Sequence, residues 1–334
     1  MKRIIPFFVS VAMLAVVFIS CDNVVTRGLL SASSAANEVI VVMDRTAWEG
    51  EAGDAVWGVL NSPTQGLPQQ DPNFRTIHIT PENFTRSFRS VRNVVIPNID
   101  HIFIEPRIRA EPNVYAMGQW IMYINAPDTA SFIDFVREQE RNIVEFFLDK
   151  ELERNARWLM SNQRIGPWSA AQEMFGIDVF KPRGVPNVVA EENFIWATNN
   201  APRARVDFVI YQFPYTTPDV FTADSLIAIR NRVLGEHIRG FNDSQMTTNT
   251  IDYPPHFRTL AVGGQFRTEL RGLWQMTTDF MGGPFVQHAF VNEETGMVVV
   301  AEAFTFSPEA QTNTRNLIRS AEASLYTISV RNSQ

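Results

Sequence analysis

The longest apolar run lies at the very start of the chain, where Ile4 to Ile19 carry a single polar residue, Ser10. Elsewhere apolar positions recur at two spacings. Alternating, β-branched stretches predict strands at 38–43, 74–79, 91–96, 119–125, 206–213 and 257–262, and a three-stranded meander over 267–306. Stripes at helical spacing predict helices over 48–60, 81–88, 129–149, 150–165, 169–175 and 222–234. Asp128 and Ser307 stand as N-caps, the second followed by Pro308 at the first turn of a last helix. Phe132, Val136, Ile143 and Phe147 form one stripe, and Leu226, Ile229 and Val233 another.

This order predicts an α+β fold of mainly antiparallel sheets with helices packed on one face. Phe88-Arg89-Ser90 has a counterpart in Phe257-Arg258-Thr259, and Val42 answers Ile210 at nearly the same offset. The offset raises a duplication, each half carrying a small antiparallel sheet, though identity between the halves is too low to prove it. The expected divisions are a leader at 1–20, a flexible tether at 21–37, a first α+β half at 38–149, a helical connector at 150–200 and a second half with the meander at 201–330.

The N-terminal run follows Lys2 and Arg3 and ends at Ser20, directly before Cys21, the one cysteine of 334 residues. A basic start, an apolar stretch and a small residue before a cut describe an export signal. Its 16 residues, weakened by Pro6, fall short of the about 20 that span a bilayer as a helix. Val17-Phe18-Ile19-Ser20-Cys21 resembles the lipobox of bacterial lipoproteins, with Phe18 where leucine is usual. The expectation is cleavage before Cys21 and lipidation of its sulfur, the alternatives being an ordinary signal with a chance cysteine or an uncleaved anchor. Each buried methylene of an attached lipid adds about 0.8 kcal/mol to membrane binding.

Composition narrows the field of partners. Apolar residues make up 45% and charged residues 19%, as in folded globular domains. The formal charge is −7, or −9 once a leader bearing Lys2 and Arg3 is removed, which argues against nucleic acid. Arginine supplies 26 of the 29 basic residues, an excess compatible with forked anion contacts or with plain solvated faces.

The residues richest in chemistry lie in the meander. If Glu294-Thr295-Gly296 form a three-residue loop, Glu293 pairs with Met297 and His288 falls opposite Glu302, on one face with Phe290, Val300 and Phe304. His288 and Glu302 are then the candidate general base and its partner, or a satisfied polar contact within a sheet. Arg267, Arg271 and Trp274 are candidates for a ligand groove, although Trp274 alternates away from Arg271 and is expected in the core. Gly282 and Gly283 fall in the expected turn 279–284, where backbone amides could hold an anion. No nucleophile elbow, zinc-binding HExxH or phosphate loop is present, and neither a metal nor a cofactor is expected.

Ala47-Trp48-Glu49-Gly50, Leu67-Pro68-Gln69, Val91-Arg92-Asn93-Val94, Leu270-Arg271-Gly272-Leu273-Trp274, Met281 to Val286, Arg315 to Arg319 and Glu322 to Tyr326 together resemble a family of Bacteroidota lipoproteins carrying a single domain of unknown function. The resemblance implies an envelope lipoprotein and no particular activity. Two function classes stay open. One is a non-catalytic component, attached to the membrane through lipidated Cys21 and facing the periplasm rather than the cell surface, that binds another envelope protein or a cell-wall or lipid ligand. The other is a hydrolase or transferase using His288 and Glu302.

Overall fold

A computed structural model describes residues 28–162, 166–308 and 313–331. The expected leader and Cys21 lie outside the described residues. In chain order the elements are β1 (Glu38–Val42), α1 (Arg45–Trp48), α2 (Glu51–Leu60), β2 (Arg75–Ile79), α3 (Arg86–Arg89), β3 (Asn93–Ile99), β4 (Arg107–Pro112), β5 (Trp120–Ala126), α4 (Thr129–Glu138) and α5 (Glu140–Asn162). There follow α6 (Ser169–Phe175), β6 (Ile177–Asp178), β7 (Asn187–Glu191), β8 (Phe194–Thr198), β9 (Arg205–Pro214), α7 (Ala223–His237), β10 (Met246–Asn249), β11 (His256–Val262), β12 (Gln265–Met276), β13 (Gly282–Asn292), β14 (Met297–Phe306), α8 (Thr314–Glu322) and β15 (Ser329–Val330).

The fold is α+β with mostly antiparallel pairing, divided between two sheets of different construction. The first has five strands in the order β2-β1-β3-β5-β4, and all its pairings are parallel except that of β4 with β5. Val39, Val41, Val95, Met122 and Ile124 turn to one face, where α2, α4 and α5 cover them with Val56, Phe132, Val136, Ile143 and Phe147. Ile40, Val42, Val94 and Ile121 turn to the other, against Phe84 and Val91. This alternation is the two-residue period of a strand buried on both faces.

The second sheet has eight strands, β10-β12-β13-β14-β9-β8-β7 with β11 also on β12, and every pair is antiparallel. It too is covered on both faces. Leu226 and Leu234 of α7 pack against Val209, Val300 and Phe304 on one side. Phe175 of α6 and Ile318 of α8 pack with Val286, Phe290 and Val299 on the other. Helices therefore occupy both faces of this sheet instead of one, because each of its central strands is apolar on both sides.

Several expectations change. The halves are not copies: the first sheet is parallel where an antiparallel one was expected, and Phe88-Arg89 lie at the end of a short helix while Phe257-Arg258 lie in β11. The expected helix 129–149 breaks at Gln139, and α5 then runs on to Asn162 through what was expected to be a connector. Residues 187–198, also expected in that connector, form β7 and β8 of the large sheet. Asp128 caps α4 as expected, its carboxylate accepting from the Ser131 amide at 2.9 Å. Among the described residues Ser307 caps no helix: α8 begins at Thr314, and its cap is Asn313, which accepts from the Asn316 amide at 3.0 Å.

Candidate functional site

The meander forms, but its register is shifted from the expected one. Asn292, not Glu293, pairs with Met297. The Asn292 side chain accepts from the Glu294 amide at 3.1 Å and its carbonyl from the Gly296 amide at 2.9 Å, which opens the loop to four residues, 293–296. A slip of one residue turns every side chain to the opposite face. His288 therefore faces Ala301, Glu302 faces Gln287, and the two expected partners lie on opposite sides of the sheet. Phe290 goes with His288, on the side of α6 and α8, while Val300 and Phe304 go with Glu302 on the side of α7.

Each of the two has another partner. Glu302 takes both Nε and Nη2 of Arg230 on α7, at 2.8 and 2.7 Å, with the guanidinium 3.9 Å above the Phe285 ring. Burial pushes the Glu302 carboxyl up and Arg230 opposes it. His288 sits opposite Glu269, its Nε2 3.5 Å from the carboxylate, with its ring edge-on to Tyr326. Burial lowers the affinity of the imidazole for a proton, Glu269 acting against it.

The other candidates separate in the same way. Arg267 points to the α8 side and gives its fork to the Leu325 and Ile328 carbonyls, both at 2.7 Å, so that it fastens the C-terminal segment. Among the described residues it has no carboxylate partner, and burial lowers its pKa to about 10. Trp274 turns the other way, as its alternation with Arg271 requires, and donates from Nε1 to the Thr305 carbonyl at 3.1 Å beside Phe304. Gly282 and Gly283 lie in β13 and form no turn; the turn is 277–281. A Cβ on Gly283 would stand 2.1 Å from the Thr305 carbonyl oxygen, so this glycine lets β13 and β14 approach under the Trp274 indole.

Of the candidates among the described residues, Arg271 alone reaches a large cleft. It lines a cleft of about 610 Å³ between the halves, walled by α5 and the loop after α2 on one side and by β11, β12 and α8 on the other. Ligand pockets commonly have this size. At its back runs a chain of ion pairs. Arg258 donates from Nε and Nη2 to both oxygens of Glu269, at 3.0 and 3.1 Å, and from Nη1 to Glu145 of α5 at 3.3 Å. Arg271 is bidentate to Glu322 and lies 3.5 Å from Glu269. Burial alone would raise the Glu269 carboxyl, but Arg271, His288 and Arg258 hold it well below the usual carboxylate range.

Arg319 completes the wall from α8. It reaches Asn37 Oδ1 at 2.9 Å and Asn73 O and Oδ1 at 2.6 and 2.8 Å, all in the first half, and burial lowers its pKa to about 9. Two half-buried polar side chains of the lining stand apart. Asp149 of α5 and His256 of β11 have no hydrogen bond or ion pair among the described residues. Burial pushes the Asp149 carboxyl up to about 6 against the pull of Arg258 and lowers the pKa of His256. Among the described residues no group of three or more His, Cys, Asp or Glu side chains is placed to hold a metal ion.

Sequence reasoning found Arg271 and missed the rest of the cleft. The signal for Glu269 was present, since Arg267, Glu269 and Arg271 share one face of a strand whose other face is apolar. Arg230 was signalled too, at the middle of the Leu226 and Leu234 stripe of α7.

Residues 168–327 match the model of a family described as Domain of unknown function (DUF4837), and residues 32–159 match a second, Domain of unknown function (DUF8532). The expectation of a single such domain over nearly the whole mature chain is thereby replaced by two, with residues 160–167 between the matched stretches. No curated protein matches the chain. The human StarD13 (DLC2) lipid transfer and protein localization domain aligns with 41% of this chain and 88% of its own length, at 9% identity and a TM-score of 0.16, a likeness too distant to inform fold or function.

Proposed function

We propose that this protein is a non-catalytic envelope lipoprotein, attached to a membrane through Cys21 and facing the periplasm, whose α+β body binds a polar ligand in the cleft between its halves. The observation that supports the reading is the cleft itself: about 610 Å³ of open space, with its back wall built from ion pairs that link β11 to β12, β12 to α8 and β11 to α5, and with Asp149 and His256 left free to meet a ligand. A wall already satisfied internally is rigid and preorganised, which lowers the cost of binding. The membrane attachment rests on the sequence before residue 28, since no helix among the described residues is long and apolar enough to cross a membrane. The hydrolase alternative loses its pair, because His288 and Glu302 are fully buried on opposite faces of one sheet.

The test is purification of the tethered protein from crosslinked native membranes, with mass spectrometry of retained small molecules and proteins. A Leu148→Trp variant, which fills the cleft, serves as the control. The reading expects a retained molecule that disappears in the variant; equal retention by both proteins, or none by either, overturns it. Cys21→Ser is expected to move the protein from the membrane to the soluble fraction.

A further inference from the structure

The charges of the cleft divide into those already committed and those still free. Arg258 and Arg271 are held by Glu269, Glu145 and Glu322, Arg141 lies 3.0 Å from Glu145, and Arg319 is spent on backbone and amide oxygens. An anionic ligand would have to break one of these pairs to gain a cation, stranding the partner carboxylate in a buried place. At the exposed rim Arg137 is outnumbered by Glu138 and Glu140. Of the half-buried groups within the cleft, the uncommitted ones are the Asp149 carboxylate and the His256 imidazole, whereas Arg137, a lining cation with no ion pair among the described residues, stands out at the exposed rim.

A second hollow, of about 320 Å³, adjoins the cleft and shares Asp149 and Arg258 with it. Tyr326 lines that hollow, and its buried hydroxyl has no hydrogen-bond partner. A phenol oxygen left unpaired in a buried place carries a desolvation cost that a donor would relieve. Asp149, on the wall shared by the two hollows, and Tyr326, in the second hollow alone, thus offer two oxygen acceptors, and a primary ammonium, with three donors and a positive charge, matches them.

Resting on the cleft as a binding site, we infer that its ligand carries a protonated primary amine and that Asp149 is the counter-charge that receives it. A sugar or peptide amine of the cell wall and an aminated lipid headgroup share this chemistry. An ammonium also leaves the buried ion pairs of the back wall undisturbed.

The test is calorimetric titration of the full chain at pH 7.5 with four probes: a β-1,4-linked glucosamine disaccharide, Nα-acetyl-lysine amide, and the fully N-acetylated form of each. The free amines should bind, at least one of them tenfold or more tighter than its acetylated form, and Asp149→Asn should lose that preference while its melting temperature does not fall. At pH 5 the wild type should also lose affinity as Asp149 takes up a proton, in the field of Glu145, Glu153 and Lys150 on its own helix, Arg258 on β11 and Tyr326. Failure of both amines to bind, equal binding of the acetylated forms, or an unchanged preference in Asp149→Asn overturns the inference. Acetylated probes that bind and are excluded by Leu148→Trp would sink the ammonium and leave the cleft as a binding site, whereas no retention of any molecule from native membranes sinks the cleft itself.

Discussion

Arg230 on α7 and Glu302 on β14 form a bidentate ion pair, at 2.8 and 2.7 Å, with neither side chain exposed to solvent. It joins a helix to the middle of the eight-stranded sheet. Thr248 accepts a further bond from Arg230 Nη1 at 2.9 Å. Removing one partner of such a pair strands a buried charge, which costs about 3–5 kcal/mol, whereas replacing both with apolar groups of similar volume is close to neutral. Arg230→Met is therefore expected to destabilise by about that amount. Arg230→Met combined with Glu302→Leu should recover most of the loss in urea unfolding.

Gly283 and Gly58 should respond to alanine in opposite directions. A Cβ at Gly283 meets the Thr305 carbonyl oxygen at 2.1 Å, a collision with backbone that no rotamer relieves. At Gly58, exposed on α2, a Cβ meets nothing within 4 Å. Gly283→Ala is expected to cost about 1–3 kcal/mol or more through overpacking, and Gly58→Ala to stabilise by about 0.8–1 kcal/mol through helix propensity. Thermal melts of the two variants decide it.

Asp149 makes stability depend on pH in a direction opposite to that of a salt-bridged carboxylate. Its folded pKa, about 6, lies above the unfolded value of 3.8, so the folded state holds the proton more tightly. The stability contributed by its protonated form is complete below about pH 4 and is lost as the pH rises through 6. Asn resembles the protonated acid and removes the titration. Asp149→Asn should be more stable than the wild type by about 1 kcal/mol at pH 7.5, a figure that allows for solvent screening of this partly exposed group, and equal to it near pH 3.5. Denaturant midpoints of the two proteins at the two pH values measure the difference.

The true cap of α8 is open to a direct comparison. Asn313→Ala removes the acceptor of the Asn316 amide and should cost about 1 kcal/mol. Ser307→Ala should be nearly neutral, because the Ser307 hydroxyl has no hydrogen-bond partner among the described residues. Equal losses in the two variants would contradict this assignment of the cap.

Local patterns carried much of the fold. The helix stripe Phe132, Val136, Ile143 and Phe147, the strands 38–43 and 206–213 and the Asp128 cap were legible because each depends on side chains a few residues apart. Parallel or antiparallel pairing was not legible for the first half. A strand buried on both faces shows the same continuous apolar run in either arrangement, and its direction is set by the crossover helices. The expected His288–Glu302 pair shows how little error suffices: one residue more in the 293–296 loop, stabilised by the Asn292 side chain, placed the two on opposite faces.

What the sequence determined by itself was the α+β class, the greater part of the elements, and the expectation of a lipid anchor at Cys21, since periodicity, caps and a leader are written in consecutive residues. The tertiary structure alone decided which charges meet. Glu145, Asp149, Arg258, Glu269 and Glu322 come from two helices and two strands, spread over both halves of the chain. Only the packing of α5 against β11, β12 and α8 brings them to one cleft, where loss of solvent makes their pairing, and the lack of a partner for Asp149, matter.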